Sequence, residues 1–258
     1  MTEQKGPRLV ERTVDVLMAL ADGPQDFSTV CQRVDLSKAT VHRILSGLGY
    51  ADFVLQDPVT HQYLLGPGSR RLANAASLGY ADLAILARPV LEGVVKATRE
   101  TVILHVRMGS MRVNIDELIS PQELRYSGGI GTSVPIHVGS AGKVLLAWLP
   151  RSAAEQLVPD IMEALTATTI TDRAELFTLL DEVREAGYAE SLGERIQGLA
   201  AISVPIFDPN GEVFAAMSIL GPEARLPHEA RIELTTVATQ ASADITRLLP
   251  TDRLRTRA

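Results

Sequence analysis

The sequence predicts an α+β protein built in two parts, and two observations carry that reading. Residues 1–66 hold three helical patterns followed by a short hairpin pattern. The remainder mixes long amphipathic helices with strand pairs joined by tight turns rather than by helical crossovers, which points to an antiparallel sheet with helices on it. Composition agrees: 46% of the 258 residues are hydrophobic and 22% are charged, as in a globular chain long enough for two medium domains.

The first helix is carried by Leu9, Val10, Thr13, Val14, Leu17, Met18 and Ala21 and ends at Asp22-Gly23-Pro24. Ser28 is the expected N-cap of a second helix over Thr29 to Val34. Asp35-Leu36 turns the chain, and Ser37 caps a third helix over Lys38 to Leu48. Val41, Ile44, Leu45 and Leu48 make one apolar stripe on it, leaving Lys38, Thr40, His42, Arg43 and Ser46 off the stripe. A short helix braced by another and offering such side chains from its first turns suits the major groove of DNA. An ordinary helical hairpin with a solvated face reads from the same stretch equally well. The next residues decide between them: Phe53 to Gln56 and His61 to Gly66 flank the turn Asp57-Pro58-Val59-Thr60, and three helices plus a hairpin make a winged helix-turn-helix. Ser37, Lys38, Thr40, His42 and Arg43 are the expected DNA contacts. The hairpin is expected along the adjacent backbone, although Asp57 has the wrong sign for phosphate.

Ser69 to Leu78, rich in alanine, reads as a linker helix within residues 67–80, and residues 81–258 form the second domain. Ala81 to Glu100 is a long amphipathic helix that Pro89 should kink or restart. Thr101 to Val106 and Met111 to Ile119 are strands around Gly109-Ser110, and Glu123 to Tyr126 is expected as another short strand. Ser140 is the expected cap of a helix from Ala141 to Leu149, whose free N–H groups favour an anion. Thr171 should cap Asp172 to Ala186, which Gly187 stops. Tyr188 to Ser191 is extended. Leu199 to Phe207 and Glu212 to Leu220 form a hairpin across Asp208-Pro209-Asn210-Gly211. Pro227 to Leu249 is the closing helix, and the basic tail with Arg253, Arg255 and Arg257 is expected to fray.

Net charge is −6, yet acids and bases balance over residues 1–71, so bulk charge does not by itself favour nucleic acid. Cys31 is the single cysteine, which excludes an intrachain disulfide framework and a thiolate metal cluster. The start lacks a signal-peptide core and no run reaches membrane-spanning length, so a cytoplasmic protein without membrane contact is expected.

Enzyme motifs fail on inspection. His137 and Val144 stand where a P-loop needs glycine and Ser/Thr, and Gly131-Thr132-Ser133-Val134-Pro135 ends wrongly for a nucleophile elbow. No histidine pair has helical metal-ligand spacing. His105 and His137 are expected to be structural, and Glu190 and Glu194 to be solvated. No catalytic residue, metal or cofactor is therefore expected.

Nearly the whole chain resembles the isocitrate-lyase-regulator (IclR) family of bacterial transcription factors. The resemblance rests on Ser37 to Leu45 with Tyr63 to Gly66, on Gly131 to Ala147, on Gly187 to Ser191 with Glu194 and Gly198, and on Ala201 to Asp208 with Ala215 to Pro222. It implies a GAF-like effector-binding domain behind the winged helix. It also implies a homodimer or dimer of dimers on palindromic operator DNA, and a small organic acid or aromatic metabolite as effector. Family ligand positions fall on Leu124, Tyr126, Ser140, Gly142, Ser191, Leu199, Ala201 and Ser218. Ser191 stands where some relatives carry Asp and Ala201 where some carry Cys, and no arginine stands among these positions to pair a carboxylate. The expected function is ligand-responsive control of metabolic genes. The alternative is a small-molecule sensor whose winged helix docks protein.

Overall fold

The computed structural model describes residues 8–76 and 80–249; the last residues of the expected linker helix and the basic tail lie outside them. The chain forms two compact units, residues 1–78 and 79–258.

The first unit runs α1 (Arg8–Ala19), α2 (Phe27–Val34), α3 (Lys38–Tyr50), β1 (Val54–Gln56), β2 (Tyr63–Leu65) and α4 (Pro67–Ala76). Its core is Val16, Leu20, Val30, Val41, Ile44, Leu45, Leu48 and Val54, so the apolar stripe of α3 is buried. The cap of α2 differs from expectation. Asp26, not Ser28, accepts from the Thr29 N–H at 2.8 Å, and the Ser28 hydroxyl donates to the same carboxylate. These bonds hold the Asp26 carboxyl below its ordinary range, the Thr29 N–H first among them. A carboxylate at this place also meets the positive end of the helix. Asp35 supplies the left-handed turn before α3, with φ +48. β1 and β2 pair antiparallel, and Gln25 bridges to Tyr63 from a third segment, a pairing that local sequence does not announce.

The second unit runs α5 (Tyr80–Thr98), β3 (Thr101–Met108), β4 (Met111–Leu118), β5 (Ser133–Pro135), α6 (Gly139–Ala147), α7 (Arg151–Leu157), α8 (Arg173–Ala186), β6 (Ala189–Leu192), β7 (Leu199–Phe207), β8 (Val213–Pro222) and α9 (His228–Leu248). Six strands form one antiparallel sheet in the order β5-β4-β3-β8-β7-β6. α5 and α9 cover one face, over Val102, Leu104, Val106, Ile202, Ile206, Met217 and Ile219. α6 lies on the other face with α8 outside it, around Val144, Leu146, Leu176 and Leu180. Truncating any of these fully buried side chains to alanine costs about 2–5 kcal/mol.

Several expectations need correction. α5 runs through Pro89 as one helix. No strand forms over Glu123 to Tyr126; that segment is a loop, pinned where Thr101 donates to the Tyr126 carbonyl at 2.7 Å and where Ser127, Gly128 and Gly129 donate to the Glu117 carboxylate. Asp172, not Thr171, caps α8 by accepting from the Glu175 N–H. Ser140 does not cap α6, which begins two residues before the expected Ala141, at Gly139, after Val138. No helix of the described residues is long and apolar enough to cross a membrane.

One irregularity positions the site. Leu104 pairs with Asp116, but His105 pairs with Asn114, so Ile115 bulges out of β4. The extra residue reverses the alternation of that strand. Asp116 thereby reaches α5, where Arg88 donates to it at 2.6 Å. Arg112 and Asn114 instead share the α6 face with His105.

Candidate functional site

Two polar clusters stand out, one in each unit. On α3, Ser37 closes the first turn, accepting from the Thr40 N–H at 3.3 Å with the two hydroxyls 2.9 Å apart. That leaves Thr40 half-buried and engaged locally. Lys38, His42, Arg43 and Ser46 are exposed, opposite the buried stripe. The His42 ring rests edge-on against Phe27, at 6.4 Å between centroids, so one of its sides is taken. In the hairpin, Asp57 accepts from the N–H groups of Val59 and Thr60 at 2.8 and 2.7 Å. Those bonds, Thr60 first, lower its pKa. Its carboxylate folds the loop tip, which answers why an acid stands there.

The second cluster surrounds a small cavity of about 40 Å³ between the start of α6 and the sheet. Of the eight residues expected there, the cavity gathers Tyr126, Ser140, Ser191, Leu199, Ala201 and Ser218. Leu124 and Gly142 are not among its walls. Leu124 is 70% exposed. Gly142 faces the strand-to-helix turn instead: a Cβ there would lie 1.9 Å from the Ile136 carbonyl oxygen, so only glycine lets α6 approach so closely.

The cavity also holds Arg112 and Arg195, which local sequence did not single out, and His105, which was expected to be structural. None of the eight expected positions is an arginine, but the fold brings two arginines from elsewhere beside them. Arg112 is 5% exposed. Its Nε donates to the Val138 carbonyl at 3.3 Å, and among the described residues no carboxylate pairs with it. Burial lowers its pKa to about 10, with the nearby Arg195 charge acting the same way, so it stays charged at neutral pH. An uncompensated buried charge costs several kcal/mol. Arg195 sits on the loop between β6 and β7, with its guanidinium 5.7 Å from the Tyr126 ring centre.

His105 is likewise not a plain structural residue. Asn114 donates from its amide nitrogen to the Gly129 carbonyl at 3.0 Å, which directs its oxygen toward His105 Nδ1, 2.9 Å away. That network assigns the imidazole proton to Nδ1, so Arg112 Nη1, 3.3 Å from the same atom, faces an N–H rather than a lone pair. Burial first, then the charges of Arg112 and Arg195, hold His105 neutral far below its ordinary range. Its Nε2 is buried and has no hydrogen-bond partner among the described residues.

Glu194, expected to be solvated, is 6% exposed. It accepts from Lys143 Nζ at 2.7 Å and from the Gly139 N–H at 3.1 Å. It therefore caps α6 from a distant loop and holds that loop over the cavity. Glu190 forms an ion pair with Arg231. Across the cavity floor, the hydroxyls of Ser140, Ser203 and Ser218 form a chain at 2.7 and 2.6 Å. Among the described residues, no cluster of three or more His, Cys, Asp or Glu side chains is placed to hold a metal.

Signals for the missed residues are weak. Arg112 and Asn114 alternate with apolar residues in β4, which reads as a solvent face; the loop at Gly129 and the turn at Val138 that leads into α6 cover that face instead.

Comparison with known proteins identifies both domains. Residues 9–58 match the IclR helix-turn-helix domain, and residues 75–247 match the bacterial transcriptional regulator IclR C-terminal domain. The chain is 31% identical to the HTH-type transcriptional repressor AllR of Escherichia coli K12 over 252 residues, 95% of this chain and 92% of that protein. It is 33% identical to AllR of Klebsiella pneumoniae over 229 residues, 86% of this chain and 83% of that protein. Among solved structures, the regulator from Alicyclobacillus acidocaldarius is 27% identical with a TM-score of 0.71, covering 95% of this chain and all of that one. An IclR homologue from Microbacterium hydrocarbonoxydans, complexed with 4-hydroxybenzoate, is 25% identical with a TM-score of 0.72, covering 93% of this chain and 98% of that one. With both of its domains matched in order, this chain belongs to the IclR family of bacterial DNA-binding transcriptional regulators, which are not enzymes.

Proposed function

We propose that the protein works in the cytoplasm as a homodimer that reads a palindromic operator through α3 and is switched by a small metabolite held in the α6 cavity. The observation that carries the DNA reading is the exposed row on α3, Lys38, His42, Arg43 and Ser46, backed by a fully buried stripe. Lys38 and Arg43 supply the charge, Ser37 and Thr40 shape the helix start, and His42 lies beside them. The wing between β1 and β2 lies along the backbone. A second apolar row on α1, Val10, Val14 and Met18, is 49 to 64% exposed, which suits a partner copy. Residues 1–66 act as the reader, 67–80 as the connection and 81–258 as the effector domain. Effector occupancy can change operator affinity only through different affinities for two poses of the paired readers.

Tyr126, Ser140, Ser191, Leu199, Ala201 and Ser218 form the effector site together with His105, Arg112 and Arg195. Gly142 serves it indirectly by seating α6. The relative that carries 4-hydroxybenzoate supports an acid here. The small cavity favours a shorter one, since drug-sized ligands fill roughly 300–1,000 Å³.

The test is a fluorescence-anisotropy titration of the full chain against the intergenic DNA beside its gene, with excess competitor and at two salt concentrations. Specific, salt-dependent binding is expected. Arg43→Ala should weaken it by about 1–3 kcal/mol, a factor of about 5 to 150. Unchanged binding by Arg43→Ala would remove that residue from the interface. Absence of specific binding would favour a winged helix that docks protein.

A further inference from the structure

We propose that the cavity ligand is a short 2-hydroxycarboxylate, its carboxylate paired with Arg112 and Arg195 and its hydroxyl donating to Nε2 of His105. This rests on reading the α6 cavity as the effector site.

Two cations face one small space, and the acid nearest in the fold, Glu194, is already committed to Lys143 and the Gly139 N–H. The missing counter-charge must come from a ligand, and a planar guanidinium suits a carboxylate. The first turn of α6 also lines this space, with the positive end of the helix dipole toward it.

His105 sharpens the choice. Its Nδ1 carries the proton toward Asn114, so Nε2 presents a buried lone pair that nothing among the described residues satisfies. A bare carboxylate accepts only and leaves that lone pair unmatched. A hydroxyl donates to it. In a cavity of about 40 Å³, where each water-sized group needs roughly 10–15 Å³ and Arg112 Nη1 lies 3.3 Å from the His105 ring, the hydroxyl has to sit close to the carboxylate, on the adjacent carbon. Ile103, Leu199, Ala201 and Leu220 leave an apolar wall for the short carbon body.

Isothermal titration of the full-length protein at pH 7.5 tests this with two matched pairs, glycolate against acetate and lactate against propionate, and with lactamide as the uncharged control. At least one hydroxy acid should bind tenfold or more tightly than its hydroxyl-free partner, with lactamide undetected. Arg195→Gln should weaken hydroxy-acid binding at least tenfold. His105→Phe, which keeps the volume and removes the acceptor, should bring the ratio within the pair close to one. Equal binding within both pairs, a preference that survives His105→Phe, or no binding of either hydroxy acid would overturn the proposal. The operator titration on the same preparations reports folding and separates the two levels. A protein that binds its operator but ignores these acids refutes only the ligand class, whereas loss of operator binding by the unmodified chain refutes the regulatory reading itself.

Discussion

The two helices that matter most each begin near a serine, and they use it in opposite ways. At α3 the Ser37 hydroxyl turns back on its own helix and accepts from Thr40. At α6 the Ser140 hydroxyl turns away to Ser203, and the free N–H of Gly139 is answered from 55 residues along the chain by Glu194. A self-capped helix can stand at the surface and present its first turns to an outside partner. A helix capped by a distant loop ties that loop to the cavity, so the loop cannot move without exposing both a buried charge and a helix end.

The largest expected break in this contrast is Glu194→Ala. It strands Lys143, whose side chain is only 6% exposed, and leaves Gly139 uncapped. Loss of one partner of a buried pair costs about 3–5 kcal/mol, which urea denaturation followed by far-ultraviolet circular dichroism will measure. A cost within 1 kcal/mol would mean the loop is not anchored through this pair.

Next comes acid. His105 is held neutral in the folded chain, while the unfolded chain takes up its proton below about 6.5. The folded state is therefore fully favoured above that pH and loses stability as pH falls below it, by up to about 1.4 kcal/mol per pH unit. Burial is the first cause, and Arg112 and Arg195 face the ring with the same effect. The slope of stability against pH between 6.5 and 5 should flatten in His105→Phe; an unchanged slope assigns the effect to another group.

The smallest effects compare the serines directly. Ser37→Ala removes a true N-cap and should cost about 1 kcal/mol. Ser140→Ala removes no cap, because Val138 precedes α6 with no side-chain bond to it. Its cost should be no more than that of one hydrogen bond, about 0.5–1.5 kcal/mol. Thermal melts of the two variants check this, and a Ser140→Ala cost well above 2 kcal/mol would show that the hydroxyl chain on the cavity floor matters more to the fold than the α3 cap does.

Much of the architecture was legible because its signals are local. The stripe Val41, Ile44, Leu45 and Leu48 marked α3, Asn210-Gly211 marked the last hairpin, and Ser37 marked a helix start. Six cavity residues were reached through family resemblance rather than from periodicity. The mistaken caps at Ser28 and Thr171 were each within two residues of an aspartate that outcompetes them, since a carboxylate both accepts the hydrogen bond and meets the helix dipole.

The amino-acid sequence by itself determined most of the helices and strands, the two-part build and the exposed face of α3, because these follow from hydrophobic period and turn chemistry over a few residues. Only the tertiary structure decided what fills the cavity. The bulge at Ile115 turned Arg112 and Asn114 to the α6 face, the turn at Val138 and the loop at Gly129 covered them, and two further loops brought Tyr126 and Arg195 to the same cavity. A polar residue in an alternating strand reads as solvated until the element packed over its face is known. Burial is a property of that neighbour, and the buried charge of Arg112 is what asks for a ligand.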